Sequence, residues 1–401
     1  MVTERLYYTD SALLEFTASV LDIKPAGEVY HVVLDRTGFY PTGGGQPNDT
    51  GRLDDSRVID VIDDDEDGRV LHVVSSLGSL AIGNQVTGTI DAARRIDHLQ
   101  QHSGQHILSQ AFVQACGAET RSFHLGGQTS TIDIELANPT ADHMHAAEDV
   151  ANSVIFDDRP MRVHLVSEEE AARLPLRKES AVRGTIRVIE VQDFDWSPCG
   201  GTHAARAGQV GLVAIKSFER AKKMTRVEFA CGHRALVDYR IANQTATAVA
   251  RLFSTERDSG PQSVDRLIQE NKSLKRRVRE LLEIALVGEA EQLLAGAARC
   301  SMPGLVPDSP EGPAVFRVVR ARFDGRDPEE LRLLAHKVIE RGRAVALLGT
   351  SEGTTAKVVF ARSADLELGR SPEVSLNMGV LLTEACQMLG GRGGGKAEMA
   401  Q

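Results

Sequence analysis

The sequence of 401 residues predicts an α+β fold in four parts: an N-terminal β-barrel, an α+β domain, a long helical connector and a small C-terminal α/β domain. Three observations predict it. Short β-branched runs punctuated by Gly, Asp and Asn fill residues 1–90. Helical and strand patterns then alternate through residue 240. Beyond that, a long helical stretch leads into a strand–helix–strand–strand pattern.

In the first part, VYHVVLD (29–35), RVIDVI (57–62) and RVLHVV (69–74) read as strands. Several short strands joined by tight turns suit a small barrel or sandwich. The second part, 91–240, opens with a helix. From Asp91 to Phe112 there is no proline, only Gly104 interrupts, and Leu99, His102, His106 and Ser109 follow one apolar edge. Strand signals follow at 122–127, 130–136, 161–166, 185–191 and 225–231, with helices over 141–157 and Glu168–Leu174. Residues 241–300 form the connector. Its apolar positions 264, 267, 268, 274, 278, 281 and 282 run close to a heptad. That spacing suits either a packed connecting helix or a dimerising coiled coil. A Pro/Gly-rich stretch at 301–313 marks a break. In the last part, 301–401, VFRVVRARF, PEELRLLAHKVIERG, AVALLGTS and AKVVFARS alternate as strand, helix, strand, strand.

The composition, 42% hydrophobic and 25% charged, is that of a globular protein long enough to bury a sizeable core. Aromatic residues make up only 4%, which argues against a protein that grips bases mainly by stacking. No leader-like start and no run of ~18 apolar residues is present, so the cytoplasm is the expected compartment. Five cysteines, an odd and sparse set, argue against a disulfide framework. The net charge of −10 weakens any general claim of nucleic-acid binding. The charge is uneven, however. An acidic run occupies Asp63–Asp67, while Arg220, Lys222, Lys223 and Arg226 cluster, as do Lys275, Arg276, Arg277 and Arg279.

His102-Ser-Gly-Gln-His106 places two imidazoles at i and i+4, one above the other on a helical face. Cys199-Gly-Gly-Thr-His203 offers a thiolate and an imidazole at the same offset, and Pro198, Gly200 and Gly201 make it a bent loop. Either motif alone is more often structural. Together they form a His₃Cys set suited to tetrahedral Zn²⁺. His98 shares the helical face and competes as a ligand or serves behind the other two. Cys116 and Cys231 read as core thiols. Four protein donors ordinarily describe a closed structural site, whereas a catalytic ion keeps one position open.

GFYPTGGGQPNDTG (38–51), HSGQH (102–106), SFHLG (122–126) and CGGTH (199–203) occur in this order. They resemble the editing domain of alanyl-tRNA synthetase and its freestanding AlaX relatives. The segment 210–232 is similar to that domain's closing part, and GGRGGGKAEMAQ (390–401) to the glycine-rich signature of the DHHA1 domain. The resemblance spans nearly the whole chain. A complete synthetase carries an activation domain ahead of this region, and no GxxxxGK[ST] phosphate loop is present. The resemblance therefore implies the long AlaX type, a hydrolase that deacylates alanine tRNA charged with serine or glycine.

It also implies roles. Zinc falls to His102, His106, Cys199 and His203, and the TGGGQ loop (42–46) to the pocket wall. Thr42 is the expected reader of a serine hydroxyl, and Gln46 an expected donor to a carbonyl. His124 either assists proton transfer or packs on a strand. Arg220, Lys222, Lys223 and Arg226 would hold the acceptor stem. The terminal segment, with Arg392, Lys396 and free backbone N–H groups, would meet phosphate elsewhere on the tRNA. A homodimer through the connector or the C-terminal domain is a further expected partner. Two rivals are a zinc-stabilised tRNA-binding protein without catalysis and a DHHA1-containing phosphoesterase. The second is disfavoured because Leu99 follows Asp97-His98, so the Asp-His-His motif is missing.

Overall fold

The computed structural model describes residues 2–64, 67–178, 183–301, 315–353, 355–366 and 376–401. Nearly all of the expected break at 301–313, and the middle of the acidic run Asp63–Asp67, lie outside the described residues. The chain forms two compact units, Met1–Ala248 and Val249–Gln401. The barrel and the α+β layers thus share one unit, and most of the connector belongs with the second. Among the described residues no helix is long and apolar enough to cross a membrane.

Six strands close the N-terminal barrel: β1 (Glu15–Ala26), β2 (Val29–Leu34), β3 (Gly51–Leu53), β4 (Ser56–Asp64), β5 (Arg69–Val74) and β6 (Gln85–Ile90). Their order around the wall is β1-β2-β5-β4-β3-β6. Alternation along β1 buries Phe16, Ala18 and Val20 while Glu15 and Thr17 face out. These side chains join Val32, Leu34, Leu53 and Val74 in the barrel core. His72 is sealed in the same wall. Its Nδ1–H donates to Val32 O at 3.0 Å and its Nε2 accepts from the Thr37 hydroxyl at 2.7 Å. Burial pushes its pKa down to about 4.

Helix α1 (Ala92–Cys116) follows. The Asp91 side chain caps its start by accepting from Arg94 N–H, and Gly117 ends it at φ 64°. Nine consecutive residues, Gln101–Ser109, are buried, so the helix is enclosed rather than apolar along one edge. Ile107, Leu108, Ala111 and Phe112 pack with Met144, Ala147 and Ile155 of α2 (Ala141–Phe156). The same core holds Ile132, Val227 and Phe229 from a four-stranded antiparallel sheet.

That sheet draws on β7 (Thr120–Leu125), β8 (Ser130–Ile134), and a later hairpin. Between them in sequence come β9 (Met161–Val166), β10 (Ile186–Val191) and β11 (Asp195–Pro198), a three-stranded antiparallel sheet. The hairpin is β12 (Val213–Ala221) and β13 (Met224–Cys231), giving the order β12-β13-β8-β7. Gln101 clamps α1 to the end of β13. Its Nε2 donates to Cys231 O at 3.0 Å and its Oε1 accepts from Cys231 N–H at 2.9 Å.

Helix α3 (Gly232–Leu252) leads out of the first unit. In the second, the long helix α4 (Gly260–Ala295) buries Leu286, Ala290 and Leu294. They pack with Leu331, Leu334 and Val338 of α5 (Pro328–Arg341). The sheet runs β14 (Ala298–Ser301), β15 (Val315–Asp324), β16 (Ala344–Glu352), β17 (Thr355–Arg362) and β18 (Met399–Ala400). Only β15 and β16 pair in parallel, with α5 as their crossover. Helix α6 (Met378–Met388) places Met378, Leu382 and Cys386 in a second small core beside Phe316 and Val345.

Candidate metal centre and its cavity

Helix α1 supplies His102 and His106 one turn apart, and the loop after β11 supplies Cys199 and His203. The ligand atoms of these four residues all lie within 4.8 Å of one another. Cys199 Sγ is 3.3 Å from His102 Nε2 and 3.3 Å from His203 Nε2. Tetrahedral sites with nitrogen and sulfur donors have edges of roughly 3.3–3.8 Å, so the donor set fits a metal ion. Burial would raise the Cys199 thiol, but the imidazoles of His102, His203 and His106 outweigh it and hold the group well below its ordinary value. A thiolate is the ligand form.

Each donor is held from behind. The His102 Nδ1–H donates to Gln46 Oε1 at 2.7 Å, which leaves its Nε2 lone pair facing Cys199. The Gln46 amide is fixed in turn, donating to Thr202 Oγ1 at 2.9 Å and accepting from Thr202 N–H at 3.2 Å. Ser103 Oγ lies 3.4 Å from His203 Nδ1 and accepts from Ala204 N–H. Asp195 Oδ2 lies 3.7 Å from His106 Nδ1. Burial would raise the Asp195 carboxyl, but His106 and Arg177 keep it below its usual range. Arg187 shapes the ligand loop, with Nη1 donating to Cys199 O at 2.7 Å and Gly201 O at 2.8 Å, and Nε to Tyr8 O. The loop passes so close to α1 that a Cβ at Gly201 would sit 2.2 Å from His102 Cε1.

The donors border a cavity of about 790 Å³. His102, His106 and Cys199 belong to its wall, with Phe123, Leu165 and Ile186 as apolar lining and Lys178 and Arg121 as cations. Phe123 packs against His102 with ring centroids 5.3 Å apart. Gln105, between the two helical ligands, also lines the cavity. Its Nε2 donates to Ser109 Oγ at 2.7 Å, and the Thr120 hydroxyl donates to the same oxygen at 2.8 Å. No hydrogen bond among the described residues reaches Gln105 Oε1.

His98 does not join the donors. It is buried with Nδ1 4.0 Å from Asp49 Oδ1, and burial, with Arg94 nearby, pushes it down to about 4. The glycine loop reaches the cavity through Gly44, in a turn where Gly43 and Gln46 exchange backbone bonds. Thr42 is exposed and outside the cavity lining, and its hydroxyl accepts from Asn48 N–H at 3.0 Å. Gln46 is 1% exposed and outside the cavity lining, and one of its amide hydrogens goes to Thr202 Oγ1. His124 is exposed on β7, and its neighbours Ser122 and Phe123 line the cavity instead.

Lys222 and Lys223 form the exposed tip of the β12–β13 hairpin, with Arg220 bonded to Asn138 and Arg226 paired with Asp133 at 2.9 Å. Arg392 and Lys396 are exposed. The backbone N–H groups around them are less free than expected, since Gly391, Gly394 and Lys396 donate to Cys386, Gln401 and Met399 carbonyls. Sequence reasoning missed Asp195, Arg187 and Gln105. A carboxylate four residues before Cys199, and an amide inside the HSGQH motif, were the available signals.

Two family descriptions match the chain. "tRNA synthetases class II (A)" covers residues 3–94, the barrel, and "Threonyl and Alanyl tRNA synthetase second additional domain" covers 186–228, which carries the ligand loop. The alanyl-tRNA editing protein AlaX-L of Pyrococcus horikoshii is 28% identical over the whole chain and 94% of its own length. The alanine–tRNA ligase of Methanoregula boonei is 32% identical over the whole chain and 41% of its own length. That of Halorubrum lacusprofundi is 31% identical, again over the whole chain and 42% of its length. The chain thus spans about two fifths of each ligase and nearly all of AlaX-L.

Proposed function

We propose, from its kinship along its whole length with the alanyl-tRNA editing proteins and the matching part of the alanine–tRNA ligases, that this protein is a trans-editing hydrolase. It cleaves the ester joining a wrong amino acid, serine or glycine, to alanine tRNA. The observation that carries this reading is the His₃Cys cluster on the wall of a cavity of about 790 Å³, a size in the range of small-molecule sites.

Zinc is the ion these nitrogen and sulfur donors suit best, held by His102, His106, Cys199 and His203. When bound, it would supply a Lewis acid and a fixed point for the charged tRNA end. The chain's own residues do the rest. Gln46 and Ser103 orient imidazoles. Gln105 Oε1 accepts the hydroxyl of a seryl group, a role better supported than that of Thr42. Lys178 and Arg121 draw the terminal phosphates. Arg220, Lys222, Lys223 and Arg226 take the acceptor stem, and Arg392 and Lys396 another part of the tRNA. A substrate of this kind supports the cytoplasm as the protein's compartment.

The test is deacylation of alanine tRNA charged with Ser, Gly or Ala. Release of serine or glycine should exceed that of alanine roughly 100-fold or more. Cys199→Ala should abolish it. Equal release of all three amino acids sinks the quality-control reading. Wild-type tRNA binding without any release favours the binding protein.

A further inference from the structure

Strand β9 is an edge of its three-stranded sheet, and its two faces differ. On one face His164 Nε2 lies 2.8 Å from Glu190 Oε2, its ring stacks on Trp196, and Val166 packs with Ile186 and Val188. On the other face Met161, Val163 and Leu165 form an apolar row. Met161 is sunk in the core of the first unit, whereas Val163 and Leu165 are 37% and 52% exposed. Sheet edges are ordinarily guarded by charged side chains, so aliphatic ones left bare on an edge mark a contact surface. The row ends at the cavity, because Leu165 is part of its wall. Antiparallel pairing sets Leu165 beside Arg187, the residue that holds the loop of Cys199.

The surroundings identify the occupant. Strand β7, itself an edge of the four-stranded sheet, supplies another wall of the cavity. Arg121 of β7 and Lys178 are exposed and, like Leu165, belong to the lining where it meets solvent. Arg121 pairs with Glu135 at 2.8 Å, an exposed ion pair that a phosphate can displace at little cost. Aliphatic side chains and cations at one opening suit a nucleotide: the base lays its face on the apolar row and the phosphates take the cations. A protein segment on the row would need acidic residues to answer Arg121 and Lys178. The seryl ester lies at the metal donors and the terminal adenosine fills the cavity behind it. The next nucleotide of the single strand is then the first to reach Leu165.

We propose that Val163 and Leu165 form the shelf on which the penultimate base of the charged tRNA end packs. This rests on the proposed substrate and adds a subsite to it. The probes are a CCA trinucleotide carrying serine through a non-hydrolysable 3′-amide, and the same molecule without its middle base. Wild type should bind the complete probe ~10-fold or more tighter than the abasic one. In Leu165→Asp, and separately in Val163→Asp, that difference should shrink below ~3-fold, since shelf and base act as one contact. Metal content should stay unchanged, because both side chains are exposed. Equal binding of the two probes by wild type overturns the proposal, as does an abasic penalty that both variants keep. Variants that weaken self-association and leave the penalty intact would give the shelf to a second copy instead. Release of serine from charged alanine tRNA, alongside equal binding of the two probes, sinks the shelf alone. Failure to bind either probe, with no release, sinks the editing reading with it.

Discussion

Gln46 and Gln105 share one chemistry and do different work because of what surrounds them. Gln46 is 1% exposed, its Oε1 accepts from His102 and Thr202 N–H, and its Nε2 donates to Thr202 Oγ1. Gln46→Leu strands the buried Nδ1–H of His102 and should lower metal affinity about 10- to 100-fold in chelator competition. An unchanged affinity would remove Gln46 from the site. Gln105 keeps one acceptor toward the cavity. Gln105→Met should cut the preference for serine over alanine about 10-fold or more with metal content unchanged, while Thr42→Val leaves that preference intact. The reverse outcome in deacylation rates would return the hydroxyl-reading role to Thr42. The four donors were legible because each pair is local, four residues apart. Their supports were not. Gln46 reaches His102 across 56 residues and Thr202 across 156, and only folding makes such contacts.

At the scale of an element, α1 departs most from its sequence pattern. Periodicity predicts a helix with one apolar edge, yet Gln101–Ser109 are buried on every side. Gln101, His102 and Ser103 there bond to distant groups, Cys231, Gln46 and Ala204, which a hydrophobic pattern cannot reveal. Gly104 follows the same logic. Alanine there would gain up to about 1 kcal/mol in helix propensity. Its Cβ, however, would stand 2.2 Å from Cys231 Sγ. Gly104→Ala should therefore destabilise the first unit by about 1–3 kcal/mol in urea titrations. A stabilised variant would show that β13 can yield. The strand pairs 57–62 and 69–74 were readable from alternation, whereas β1 was missed because small and polar residues dilute its apolar positions. The parallel β15–β16 pair was readable as strand, helix, strand, but β14, β18 and α6 were not expected.

Over the first unit as a whole, buried histidines set the response to acid. His72 titrates near 4 in the fold against 6.5 in the unfolded chain. Between those values the unfolded chain binds a proton that the native barrel does not. Stability therefore rises with pH across this window and falls as pH drops from 6.5 toward 4. The loss is roughly 3 kcal/mol for one such group, and His98 acts in the same direction. Denaturant midpoints measured from pH 7 to pH 4 should decline, with a shallower slope for His72→Gln. A flat wild-type profile would mean that His72 is protonated within the fold.

The donor pairs stand 97 residues apart in the chain, one on a helix and one on a loop. Any ion gripping both acts as a removable cross-link around a ring of nearly a hundred residues. Closing so long a ring takes away freedom that the unfolded chain would otherwise enjoy, an effect of a few kcal/mol for covalent clasps of similar span. Stripping the ion should thus lower the melting temperature of the first unit and leave the transition of the second in place. Metal supply would then govern how long the molecule survives as well as whether it acts.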